Sequence, residues 1–394
     1  MAGRAPTLPG RDVRLTTVYL IAGEHSGDVL GGRLMAALRA LRPELEFAGV
    51  GGARMVAQGM TPLFPMEELA VMGLLEVLPR VRRLRRLLHA VIADIRARQP
   101  GVLVCIDSPG FNVRVLRAIG VGSIPRVHYV APQVWAWRQW RVRHFFDKWE
   151  RLLCLLPFEP AWFAKHGLDS EFVGHPVLES GAGLGDAAGF RARHGLAPEQ
   201  PVLVLMPGSR RSEVPRLLPV FGETLTILAR ELPGLVAVLP AAAAVAETVR
   251  AAVARWPVRP ILVTELGDKH DAYAAASAAL TKSGTSTLEL ALAGVPMAVT
   301  YRVNPLSASL ARRLIKVPYV AMVNLLAGRE LVPELLQERC RADLLAGTVI
   351  ELMRDTSVAS AQRDGFREVV ESLRPPRGTP SDAAAQAVLD VLRD

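Results

Sequence analysis

Residues 279–297 read ALTKSGTSTLELALAGVPM, and the reading of the whole chain turns on them. An apolar run ends at Leu280 and gives way to a polar loop of Thr281, Lys282, Ser283 and Gly284. Thr285 and Ser286 are good N-cap residues, residues 287–293 read as helix, and Gly294 with Pro296 stops it. A strand that enters a helix through such a loop is the repeating unit of a parallel α/β sheet. Its loop leaves backbone N–H groups outward at the positive end of the helix dipole, which suits a phosphate or pyrophosphate. Glu289, one turn in from Thr285, can accept hydrogen bonds from sugar hydroxyls. An ordinary capped helix behind a strand would read the same way, so the stretch alone leaves ligand binding open.

The pattern repeats on both sides. Downstream of a Gly-, Ala- and charge-rich boundary at 180–200, apolar runs at 202–206, 236–239, 261–263, 278–280 and 297–300 alternate with helical segments. Upstream, runs at 18–22, 47–50, 102–106, 126–130, 152–156 and 172–173 do the same. Two α/β domains follow, at 15–180 and 195–345, with helices over 346–394. A chain of 394 residues fits two cores better than one.

Half the residues are hydrophobic and the net charge is +9, which excludes a disordered chain and points to anionic partners. Cys105, Cys154 and Cys340 are widely spaced and form no metal-ligand pattern, so reduced thiols and no metal are expected. No apolar stretch reaches the length of a membrane span.

Candidate site residues cluster in loops after strands. In the second half, Gly208, Ser209 and Arg210 precede another helix start, and arginine grips phosphate oxygens bidentately. With Ser283, Gly284, Thr285 and Ser286 they make a second helix-start anion site in one domain, which points to a nucleoside diphosphate. No P-loop signature is present. In the first half, Glu24 and Asp28 in GEHSGD and Asp107 at the end of VLVCI are carboxylates placed where open α/β sheets bind ligands. Asp28 also reads as a turn cap, and His175 before Pro176 as a turn residue more readily than as a catalyst.

Between them, residues 69–95 carry apolar positions at helical spacing with a run of arginines. Met72, Leu74, Leu75, Leu78 and Leu84 supply apolar surface, and Arg82 and Arg83 flank it. That suits an anionic membrane surface; a helix packed in the core with a solvated arginine face reads equally well. No nucleic-acid-binding signature accompanies the arginines.

The stretches AGEHSGD (22–28), GVGG (49–52), MGLLEVLPR (72–80), HYVAPQVWAWRQWR (128–141), LLPFE (155–159), FVGHPV (172–177), LMPGSRRSEV (205–214), TKSGTSTLELALAGVPM (281–297) and VPYVAMVNLLAGRELVPELLQ (317–337) occur in order along most of the chain. Through them the sequence resembles the lipid-A-disaccharide synthases, bacterial glycosyltransferases of the GT-B fold. The resemblance implies two Rossmann-like parallel-sheet domains facing across a cleft, with the final helices returning to the N-terminal domain or to a partner subunit. It implies transfer of a 2,3-diacylglucosamine unit from UDP to the 6-hydroxyl of 2,3-diacylglucosamine 1-phosphate, with inversion and without metal or cofactor. It places UDP against Ser209, Arg210, Thr285 and Ser286, with Glu289 at the ribose and Asn324 at the nucleotide.

By the same resemblance the acyl chains lie in the N-terminal half, and the enzyme sits on the cytoplasmic face of the inner membrane as a peripheral protein. It has glycolipid partners and no nucleic acid, and a homodimer is left open. Family members commonly read D-[AS]-P-D-F, the second aspartate being the favoured base. This chain reads Asp107-Ser108-Pro109-Gly110, which shifts that expectation to Asp107, with Glu24 and Asp28 behind it. Another UDP-sugar enzyme of the same fold, or a non-catalytic glycolipid-binding relative, are the competing readings.

Overall fold

The computed structural model describes residues 16–69, 81–120, 122–211, 213–304, 314 and 316–393. The chain divides into two compact units. Residues 1–132, 141–174 and 375–394 form the first, and 133–140 with 175–374 the second.

The first unit is built on seven parallel strands: β1 (Thr17–Ala22), β2 (Glu46–Val50), β3 (Thr61–Pro62), β4 (Val102–Ile106), β5 (Arg126–Tyr129), β6 (Arg151–Cys154) and β7 (Glu171–Phe172). Their order is β3-β2-β1-β4-β5-β6-β7. Apolar runs such as VYLIA and VLVCI are buried over their whole length, as strands covered by helices on both faces require. The chain turns back at β1, so the order reverses between β1 and β4, where Ala22 lies opposite Ile106.

The second unit repeats the plan with β8 (Val202–Met206), β9 (Val236–Pro240), β10 (Ile261–Val263), β11 (Ala278–Lys282), β12 (Met297–Tyr301) and β13 (Glu334–Leu336). The order is β10-β9-β8-β11-β12-β13, reversing between β8 and β11, where Met206 lies opposite Thr281. Ligands of open parallel sheets bind outside the carboxyl ends of the strands at such reversals. Each unit therefore has one topologically favoured site.

Only part of the 346–394 tail belongs with the first unit. The helices Ala342–Arg354 and Thr356–Ser372 lie in the second. Leu345, Ala346, Val349 and Leu352 are buried in one cluster with Leu217, Phe221 and Leu225 of the helix Val214–Glu231. The last helix, Pro380–Leu389, carries a Thr379–Asp382 capping box and buries Ala384, Ala385, Ala387 and Val388 beside Leu34 and Leu38 of the helix His25–Leu41. The three cysteines are free and buried.

Candidate functional site

At the first reversal the loops after β1 and β4 meet. A Cβ on Gly23 would lie 2.9 Å from Ser108 Oγ, so only glycine lets the two loops approach this closely. Beyond β4, Asp107 (φ 50°) and Ser108 (φ 42°) are both left-handed, and so is Val130 (φ 80°) just past β5. Two consecutive non-glycine residues and a β-branched one in this region store strain, which clusters at functional sites. The Asp107 N–H donates to the Tyr129 carbonyl (2.9 Å), and Asn112 Nδ2 donates to the Asp107 carbonyl (2.7 Å) and holds the turn. Burial raises the Asp107 pKa above the ordinary aspartate value, opposed by a backbone hydrogen bond at Ser108. A carboxylate shifted in that direction is a better base.

The other two carboxylates of this end have different tasks. The helix after β1 starts at His25, so Ser26, Gly27 and Asp28 are helical and Glu24 is the N-cap residue. Asp28 is buried, and its Oδ1 accepts from the backbone N–H of Gly52 (2.8 Å) and Met55 (3.1 Å) while Oδ2 accepts from Arg54 (3.0 Å). That carboxylate anchors the short helix Ala53–Val56 through these three bonds, a structural task beside the catalytic one expected of it. Gly110 lies in the first turn of the helix Pro109–Ile119, and a Cβ there would meet nothing within 4 Å.

At the second reversal, the loop after β8 brings Gly208, Ser209 and Arg210, and the loop after β11 brings Ser283 and Gly284. Ser209, Arg210 and Thr285 are exposed; Ser283 is buried. The helix begins at Ser286, one residue before the sequence suggests. Thr285 holds the N-cap position without a side-chain cap bond. Ser286 Oγ instead lies 3.2 Å from Thr281 Oγ1, and Thr287 donates to the Gly284 carbonyl (2.8 Å). The hydroxyls thus fix the shape of the loop rather than cap the helix. Glu289 accepts from Tyr273 OH (3.1 Å) and pairs with Lys269 (2.7 Å), both through Oε2. Burial, and then the Glu289 charge, push the Tyr273 hydroxyl well up, so it stays a neutral donor.

Two residues missed in the sequence complete this end. Glu213 is buried, its Oε2 lies 3.2 Å from Lys282 Nζ, and its Oε1 accepts from Tyr301 OH (3.2 Å). Arg210 approaches the same Oε1 at 3.4 Å. The signal was present, since Glu213 follows the Arg210-Arg211 pair and Lys282 ends β11, but nothing in a linear reading pairs them.

Asn324, expected at the nucleotide, is fully buried and saturated. Its Nδ2 donates to the Val332 carbonyl (2.8 Å) and Glu334 Oε1 (2.9 Å), and its Oδ1 accepts from the N–H groups of Leu331 and Val332 (both 2.8 Å). Glu334 in turn accepts from Val320 and Ala321, and Ser283 donates to the Val320 carbonyl (2.8 Å). Asn324 therefore supports the loop that touches Ser283 and has no polar atom left over for a ligand. His175 is a turn residue, its Nδ1 accepting from Val177 N–H (3.1 Å).

Met72, Leu74, Leu75 and Leu78 lie outside the described residues. The helix Val81–Arg98 that follows buries Val91, Ile92 and Ile95. In its first half Val81, Arg82, Arg83, Arg85 and Arg86 are exposed, Leu84 is half-buried, and Arg83 pairs with Glu68 (3.1 Å). The second half of the helix is packed in the core and the first half presents its arginines to solvent. Among the described residues no helix is long and apolar enough to cross a membrane, and no group of three or more His, Cys, Asp or Glu is placed to hold a metal ion.

A family model described as Lipid-A-disaccharide synthetase matches residues 18–388. The chain belongs to the lipid-A-disaccharide synthase family. A member from Granulibacter bethesdensis is 59% identical over 386 residues, covering 95% of this chain and 98% of the relative. One from Gluconobacter oxydans is 58% identical over 377 residues, covering 96% and 91%. Among solved structures the calicheamicin glycosyltransferase CalG4 matches with a TM-score of 0.60 at 16% identity, covering 96% of this chain and 98% of that one. The UDP-GlcNAc 2-epimerase from Neisseria meningitidis, bound to UDP-GlcNAc, gives 0.62 at 11% identity, covering 91% and 99%. At such identities the likeness is one of fold, and the fold is GT-B. The enzyme is accordingly a lipid-A-disaccharide synthase, a glycosyltransferase of lipid A biosynthesis.

Proposed function

We propose that the reaction is divided between the two sheet reversals. The observation that carries this is the second reversal, where the loops after β8 and β11 bring Gly208, Ser209, Arg210, Lys282, Ser283 and Gly284 to one strand end. The UDP of the 2,3-diacylglucosamine donor binds there. Arg210 and Lys282 offset the negative charge that grows on the departing diphosphate. Glu289, steadied by Lys269 and Tyr273, accepts from the ribose hydroxyls.

The acceptor is 2,3-diacylglucosamine 1-phosphate. Asp107, at the first reversal, takes the proton of its 6-hydroxyl as that oxygen attacks the anomeric carbon and the bond to the diphosphate breaks. One displacement on an α-linked donor gives the β-1′,6-linked disaccharide 1-phosphate and UDP. Glu24, the N-cap residue of the helix after β1, orients the acceptor. No metal and no cofactor take part in this reading.

The basic first half of the helix Val81–Arg98 rests on the cytoplasmic face of the inner membrane, where both glycolipids are embedded. The enzyme is peripheral there, and its acyl-chain groove belongs to the first unit.

Purified enzyme in detergent with the UDP-diacylglucosamine donor and the monosaccharide 1-phosphate acceptor tests this. The expected result is equal molar release of disaccharide and UDP, unchanged by EDTA. A lasting loss of turnover after chelation, restored by a divalent cation, would contradict the role given to Arg210 and Lys282.

A further inference from the structure

The Glu213–Lys282–Tyr301 cluster has no place in the sequence motifs as ligands, yet it occupies the centre of the second reversal. Its three members come from the carboxyl-terminal side of three neighbouring strands. Glu213 closes the loop after β8, Lys282 ends β11, and Tyr301 ends β12, with Lys282 opposite Thr300 in the sheet. The Glu213 side chain is 10% exposed and that of Lys282 15%, so the pair is largely withdrawn from water. Arg210, which shares Oε1, is 57% exposed. The Lys282 ammonium also lies 5.1 Å from the centre of the Tyr301 ring.

Gly208 closes over this pair. It takes φ +104°, and a Cβ there would sit 3.4 Å from both Glu213 Oε2 and Lys282 Cδ. The backbone of the loop after β8 is thereby laid directly on the ion pair. Glu213 stands at the N-cap position of the helix Val214–Glu231 but makes no cap hydrogen bond; its carboxylate turns to the lysine and the tyrosine instead. A buried ion pair contributes little net stability against a well-packed apolar substitute. The arrangement therefore makes more sense as a prepared charge than as a staple.

We propose that Lys282 is a cation for the donor's diphosphate and that Glu213 is its resident counter-ion, a positioning residue. Glu213 holds the ammonium at the strand end in the empty enzyme and offsets part of the cationic charge in the complex. The consequence is a site that grips UDP less tightly than its two cations alone would, which favours release of the product. This rests on the placement of UDP at the second reversal.

The test is titration calorimetry of UDP and of uridine into the wild type, Glu213→Gln and Lys282→Met. Glutamine keeps the size and an acceptor for Tyr301 and removes the charge. The expected result for Glu213→Gln is a UDP dissociation constant about five- to tenfold lower, from loss of one nearby like charge, with uridine unchanged. For Lys282→Met it is UDP binding weakened by about 30-fold or more, again with uridine unchanged. Lys282→Met carries the test alone if Glu213→Gln does not fold.

UDP affinity unchanged or weaker in Glu213→Gln overturns the counter-ion role. UDP and uridine weakened alike in either variant shows a structural staple and overturns the proposal as well. A wild type whose UDP binding is lost on mutation of the β1 and β4 loops, and not of these, refutes the placement of UDP itself and is distinguishable from both.

Discussion

Asp107→Asn and Asp28→Asn make the same chemical change, one in the loop after β4 and one in the first turn of the helix after β1, and the structure gives them opposite consequences. The Asp28 carboxylate is buried and accepts three backbone N–H groups. Asparagine can keep Oδ1 toward Gly52 and Met55 as a neutral acceptor. It then turns an amide NH2 toward the Arg54 N–H, donor against donor. Two charge-assisted bonds weaken and one donor is left unpaired, a loss of about 2–4 kcal/mol, or on the order of 5–10 °C in melting temperature.

Asp107→Asn weakens one backbone hydrogen bond, at Ser108, and because burial, which disfavours the ionised form, is the larger effect, the neutral amide leaves stability about equal at pH 7. It removes the base, so kcat/KM falls by about 10²–10⁴. The sign of the pH dependence follows. The base must be ionised, and burial raises its pKa, so the acidic limb of kcat/KM in the wild type lies above the ordinary aspartate value of about 3.9. Differential scanning fluorimetry together with disaccharide formation per folded enzyme reads both effects. A stable Asp28→Asn with turnover lost by 100-fold or more, or an Asp107→Asn that keeps its turnover, would refute the division of roles.

Four further outcomes follow. Gly110→Asp folds at least as stably as the wild type, by about 0.5–1 kcal/mol in favour, because the site is open, helical and in a first turn where an acid is favoured; a fall in denaturation midpoint speaks against the geometry. Asn324→Ala strands two N–H donors and a carbonyl, and costs about 3–5 kcal/mol in urea unfolding; loss of UDP affinity with unchanged stability would instead make it a ligand residue. His128 is buried with both ring nitrogens unpartnered, and burial pushes its pKa down to about 3. It stays neutral in the fold while the unfolded imidazole titrates near 6.5, so its stability contribution is complete above pH 6.5 and declines as pH falls, by about 1.4 kcal/mol per unit; His128→Phe flattens that slope, and an unaltered slope rejects the assignment. Arg82→Glu with Arg83→Glu lowers sedimentation with anionic vesicles about tenfold, and unchanged sedimentation removes this helix from the membrane contact.

The fold was legible because parallel strands covered on both faces leave continuous apolar runs. VLVCI and VLVLM can hardly be read otherwise. The two strands missed, β3 and β13, are short; one contains Pro62, and the other spends Glu334 on loop hydrogen bonds. The site was legible in its loops and less so in its side chains. Gly208, Ser209, Arg210 and residues 283–286 gather at one strand end because loops after neighbouring strands must meet there. The structural tasks of Asp28 and Asn324 were not legible because a polar residue that satisfies buried backbone groups looks, in a sequence, like one that awaits a ligand. Glu213 and Lys282 were passed over because they meet only when β8 and β11, far apart in the chain, come side by side.

The division of the reaction between the two reversals is tested most directly by hydrogen exchange with and without saturating UDP. Protection confined to the loops at 207–211 and 282–287, with residues 22–28 and 107–112 unchanged, is the expected result. Protection at the β1 and β4 loops, with none after β8 and β11, would contradict it.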